Sequence, residues 1–275
     1  MTLVARNKIL IILFILAIVL LVSFGTILII SLVQNQFTIP TVVERLFNLP
    51  DIFFLRYNFY APFFAALVLA VYAIITLYIL YVNFEKTQVP EIIYFTGFLI
   101  GCGIEGIRII LPAINIWADF SNLYVFTGKF IFFGRFIAII NLIIMAILST
   151  KEDNQQFSDQ SLIIICAAAA LLANTIPIDT ITIPSNCSIN FGFEKMYLVL
   201  SSICIAIGFI TMLLLNQNLG SPEYKKCAIG FLLLSFGYIF LTQGDCFIVI
   251  FIGVTLLLLG TFEFLWNLHK FYIWK

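Results

Sequence analysis

Histidine is almost missing from this chain, with His269 the single example in 275 residues. That scarcity argues against a haem, a zinc site or any acid and base pair built on imidazole. Charge is scarce as well: 10% of residues are charged, and 14 basic residues balance 14 acidic ones. A neutral chain has no electrostatic footprint for nucleic acid, and no run of like charges marks a binding tail. Cysteine occurs at 102, 166, 187, 204, 227 and 246, never as C-x-x-C. The sequence also lacks G-x-S-x-G, H-E-x-x-H, an aspartate-rich prenyl-diphosphate motif and a phosphate-cradling glycine loop. These absences speak against a conventional membrane hydrolase or ATPase, and no catalytic residue, metal ligand or cofactor is expected.

Apolar length is what the chain has instead. It is 63% hydrophobic with a mean hydropathy of +1.13, the composition of an integral membrane protein whose first partner is the lipid bilayer. A hydrocarbon core about 30 Å thick needs roughly 20 apolar residues per crossing. About eight such runs occur, near 9–33, 58–82, 91–112, 124–149, 161–178, 196–215, 227–243 and 247–266. The expected fold is therefore all-α, a polytopic bundle forming a single transmembrane domain over 1–275, with no loop long enough for a soluble domain. The first run is too long for a signal-peptide core and reads as a retained anchor helix.

Lysine and arginine set the expected orientation. With the N-terminus in the cytoplasm, Arg6, Lys8, Lys86, Lys151, Lys225, Lys226, Lys270 and Lys275 lie inside, and mainly Arg45, Arg56 and Lys195 lie outside. An even number of crossings then puts both termini in the cytoplasm. Trp117, Trp266, Trp274 and several tyrosines fall near helix ends, as interfacial aromatics do.

The longest loop, about 34–57, brackets Val43 to Phe47 between Pro40 and Pro50. Two readings are open for it: a short amphipathic surface helix with Glu44 and Arg45 in water, or a plain connector. Asn186 begins an Asn-Cys-Ser sequon on the outward side. Cys187 and Cys246 fall in loops on that same side, which leaves a disulfide between them open.

The third run carries the unusual chemistry. Gly97, Gly101, Glu105 and Arg108 share a sector of about 80° at 100° per residue. Gly97 and Gly101 form a G-x-x-x-G notch for helix packing, and the same face bears the ions. Lone charges in a bilayer cost at least about 2.5 kcal/mol, so this face should meet protein. The fourth run supplies Lys129 and Arg135, about 7 and 16 Å below its start, with Glu105 about 10 Å below Pro112. Glu105, Arg108, Arg135 and Lys129 are thus expected to form one polar cluster. It has three readings: an ion pair that fixes helix register, a pocket for a lipid headgroup or small anion, or a proton-coupling site at Glu105, which nearby arginines disfavour.

The alternation of glycine, aromatic and Glu-x-x-Arg over residues 94–108, with Phe-Phe-Gly-Arg-Phe at 132–136, loosely resembles the multi-helix sensory input modules of bacterial membranes. That resemblance implies a bacterial cytoplasmic (inner) membrane location. In such proteins an output domain follows the bundle, whereas this chain continues for only some nine residues past its last run, so a membrane or cytoplasmic partner would carry the output. The leading expectation is a non-enzymatic sensor-like or scaffold subunit working with partner proteins. The alternative is a transporter of a small solute or lipid using the same cluster.

Overall fold

The computed structural model describes residues 3–40, 43–45, 55–87, 89–115, 121–148, 158–180, 182–192, 194–219 and 221–273. Eight long helices account for most of them: α1 Leu3–Val33, α2 Tyr60–Phe84, α3 Glu91–Ala113, α4 Ser121–Leu148, α5 Ser158–Thr175, α6 Glu194–Leu219, α7 Pro222–Gln243 and α8 Phe247–Ile273. Seven are long and apolar enough to cross a membrane; in α5 the apolar stretch, Ser161–Thr175, is shorter. The fold is thus the expected all-α membrane bundle. The close junction between the last two runs is resolved as two helices, with only Gly244 to Cys246 between them.

The helix ends follow from local chemistry. Asn35 and Asn115, just past α1 and α3, take the left-handed conformation (φ 56° and 51°) that often closes a helix. Pro222 opens α7 at a position where its missing N–H costs nothing. At the end of α2 the orphan carbonyls are taken by α1: Arg6 donates to Phe84 O at 2.5 Å and Thr87 O at 2.6 Å, and Asn7 Nδ2 donates to Glu85 O at 2.9 Å.

These contacts define one face of the bundle. The start of α1 meets the end of α2 there, and Glu91 at the start of α3 accepts hydrogen bonds from Tyr224 (3.2 Å, α7) and Tyr272 (3.0 Å, α8). Both described ends of the chain lie on this terminal face. The longest close approach is between α7 and α8, where glycines bring backbone to backbone. A Cβ on Gly237 would stand 2.5 Å from Leu257 N, and one on Gly260 would strike the Leu234 backbone.

The opposite face is closed by a cap rather than by loose loops. A small antiparallel hairpin pairs β1 Ile178–Asp179 with β2 Asn190–Phe191. Glu44 joins its connecting segment, accepting from Ser185 N and donating to Ile183 O, both at 2.8 Å. Val43 to Arg45 are therefore extended, which overturns the helical reading for these residues; Leu46 and Phe47 lie outside the described residues. Arg45 is half-buried and pairs with Asp245 at 2.8 Å, while Glu44 stays exposed. Asp245 in turn accepts from Ser185 Oγ at 3.1 Å and, through its carbonyl, from Asn58 N at 3.1 Å. One residue, through its carboxylate and its carbonyl, thus ties together the segments of Arg45, Asn58 and Ser185. The polar linker over 149–157, with Trp117, Asp119 and Trp274, lies outside the described residues.

Candidate functional site

Beneath the cap, α3 changes its winding. Residues Glu105–Ile109 form a 3-10 turn between the α-helical parts Glu91–Ile104 and Ile110–Ala113. A tighter turn inside a helix re-aims the side chains on it, and here those are Glu105 and Arg108. Glu105 Oε2 accepts from Arg108 Nη1 at 3.2 Å, and Oε1 accepts from Arg135 Nε of α4 at 2.8 Å. Each of the three side chains is 0% exposed.

The glycine notch makes this proximity feasible. A Cβ on Gly97 would collide with the Asn141 amide of α4, and one on Gly101 would lie 2.6 Å from Gly134 O and 2.7 Å from Ala138 Cβ. With no side chain at either position, α3 and α4 close enough for a guanidinium on one to reach a carboxylate on the other.

Two guanidinium groups against one carboxylate leave a surplus positive charge, and the end of α7 answers it. Arg108 Nη1 donates to Leu241 O and Arg135 Nη2 to Thr242 O, both at 3.4 Å. These carbonyls belong to the last turn of α7, which has no intrahelical donors and carries about half a negative charge. Arg108 Nη2 also donates to Asn186 O of the cap. Asn186 Nδ2 donates to Gln243 Oε1 at 3.0 Å, and Asn186 Oδ1 accepts from Ser188 Oγ at 2.8 Å. The Arg135 guanidinium lies over the Phe191 ring, 5.8 Å from its centre. The triad therefore joins α3, α4, the end of α7 and the cap hairpin.

Four buried polar atoms around it have no protein partner: Arg135 Nη1, Arg108 Nε, the Tyr238 hydroxyl and Gln243 Nε2. Among the described residues, no group of three His, Cys, Asp or Glu side chains converges as a metal site requires.

The structure brings Glu105, Arg108 and Arg135 together and leaves Lys129 apart. Lys129 and Arg135 are about 240° of helical rotation from one another on α4. Lys129 is partly exposed and has no hydrogen bond or ion pair to Glu105 among the described residues. Cys187 and Cys246 are both free and buried, so the disulfide is corrected to two thiols; Cys187 Sγ faces Phe59 O at 3.9 Å instead. The sequon is corrected too. Asn186 is 2% exposed, with its Nδ2 on Gln243 and its Oδ1 on Ser188, so the folded chain leaves no room for a glycan there.

Sequence reasoning missed the acceptors. Asn186, Leu241 and Thr242 contribute carbonyls, which any residue type has, so no side-chain pattern marks them. Glu91 was also missed, because an acid in a first helical turn is ordinary, and only packing shows that it is buried beneath Tyr224 and Tyr272. No protein-family model, curated protein or solved structure matches this chain.

Proposed function

We propose that this chain is a non-enzymatic multi-span membrane subunit, sensor-like or scaffolding in character, whose charged triad is a structural keystone rather than a transport site. The observation that carries this reading is the enclosure of Glu105, Arg108 and Arg135 at 0% exposure, with both cations directed at protein carbonyls. A transported solute would have to break those bonds and lift the cap.

One observation favours a second reading, a small anion or lipid phosphate held at the triad. Arg135 Nη1 and the Tyr238 hydroxyl are buried without a protein partner, as donors to such a ligand would be. Sidedness follows the same logic as in the sequence. Lys8, Lys86, Lys225, Lys226 and Lys270 are exposed at the terminal face, which supports placing that face in the cytoplasm, and the bacterial inner membrane remains the location the sensory-module resemblance implies.

The test is affinity purification of the full chain in mild detergent followed by native mass spectrometry. Stoichiometric protein partners support the subunit reading. A monomer or homodimer that retains a small ligand, lost in Glu105→Gln without loss of folding, favours the anion-holding or transport reading.

A further inference from the structure

The packing of α1 is uneven along its length. Its buried residues are Arg6 and Leu10 near one end and Phe24 and Ser31 near the other. They lie on one seam, with steps of three and four residues running through Leu13, Ala17 and Leu20 between them. In that middle stretch the seam faces a cavity of about 360 Å³ rather than a neighbour. All fifteen residues around it are apolar. Its far wall is made of small residues, Ala70 and Ala73 of α2 and Gly103 of α3, where even an added Cβ on Gly103 would find only Ala73 Cβ at 3.8 Å.

Depth and opening identify what would fill it. From Leu13 to Phe24 the cavity runs about 16 Å along α1, inside a hydrocarbon layer about 30 Å thick. Two of its lining residues, Leu16 and Phe130, are 52% and 38% exposed, so the cavity continues directly onto the apolar outer surface of the bundle. A dry, long, laterally open slot takes a chain that arrives from the membrane, not a solute that arrives from water. We infer that the space between α1, α2 and α3 is a binding site for one acyl chain of a bilayer phospholipid. Its inner wall includes Ile104 and Ile107, the neighbours of Glu105 and Arg108 in the chain. The site is independent of the role assigned to the triad.

The test uses the full chain reconstituted in phosphatidylcholine vesicles that contain a trace of phosphatidylcholine with a diazirine in one acyl chain. After photolysis, adducts are mapped by peptide mass spectrometry. Labelling should concentrate on residues 13–24 and 100–107 above the level at Phe251 and Phe262, which face outward on α8. Gly103→Leu, which fills the slot from α3, should lower the groove labelling about tenfold, equivalent to about 1.4 kcal/mol of binding, and leave α8 labelling unchanged. If that variant fails to fold, Ala17→Phe fills the slot from α1. Uniform labelling that neither variant changes overturns the proposal, as does labelling of the slot by diazirine palmitic acid but not by the phospholipid. Cross-links from the slot to a second protein chain overturn it as well. Neither Gly103→Leu nor Ala17→Phe replaces a member of the triad, so loss of the lipid site and loss of the triad's role are separately visible.

Discussion

Arg135 and Glu105 sit on different helices and meet at 2.8 Å with no exposed surface on either side chain. Removing one partner strands the others, because two arginines and the end of α7 are balanced around a single carboxylate. Glu105→Gln should destabilise the bundle by about 3 to 5 kcal/mol, the usual consequence of uncompensated buried charge, read as thermal unfolding in detergent. A cycle with Arg135→Gln should show coupling of about 1 kcal/mol or more between the two positions. Additive effects would mean that the pair has no joint role.

Glycine substitutions along α3 should divide by face. Gly101→Ala places a methyl group 2.6 Å from Gly134 O, where only backbone movement can relieve it, and should cost about 1 to 3 kcal/mol. Gly103→Ala meets only Ala73 Cβ, at an unstrained 3.8 Å, and should be neutral or stabilising by up to about 1 kcal/mol through helix propensity. Equal unfolding temperatures for the two variants would contradict the packing of α3 on α4.

Asn186 should remain without a glycan when the chain is made in a glycosylating host, and treatment with an endoglycosidase should leave its mobility unchanged. Asn186→Ala removes the bond to Gln243 and leaves that amide buried without its donor. A cost of about 1 to 3 kcal/mol is expected, together with faster proteolysis within 176–192.

The cap should loosen in alkali. Burial pushes the Cys187 thiol up to about 12 from a usual 9.0, a rise that the nearby Arg108 charge only partly offsets. Tyr57 beside it is raised as well, by burial and then by Cys187 and Asp245. A folded-state pKa above the unfolded value favours the fold below about pH 9, and that contribution is lost as pH climbs toward 12. Exchange protection in 182–192, taken relative to the base-catalysed rate of the unfolded chain, should fall across that window, and Cys187→Ala should remove part of the fall. Iodoacetamide at pH 8 should leave Cys187 unmodified until denaturant is added.

The membrane bundle was legible in the sequence because bilayer thickness imposes a length that apolar runs must meet. The inward face of α3 was equally legible, since Gly97, Gly101, Glu105 and Arg108 share one sector and charges avoid lipid. Lys129 shows the limit of that reasoning: depth along the helix places it near the cluster, but its azimuth turns it away from Arg135. Cys187 and Cys246 show another, because sharing a side of the membrane does not bring two sulfurs together. The cap was the least legible part. Arg45 and Asp245 meet across 200 positions of sequence, and loop pairings at that separation leave no periodic trace.

Beyond Glu105, the acceptors of Arg108 lie 78 residues downstream at Asn186 and 133 residues downstream at Leu241. During synthesis, Glu105 can engage Arg135 as soon as α4 has entered the bilayer, but the second cation must wait for most of the protein to be made. Until α7 is made, one carboxylate is shared by two guanidinium groups without the helix-end carbonyls that complete their hydrogen bonding, so the outer half of the bundle is electrostatically complete only late in synthesis.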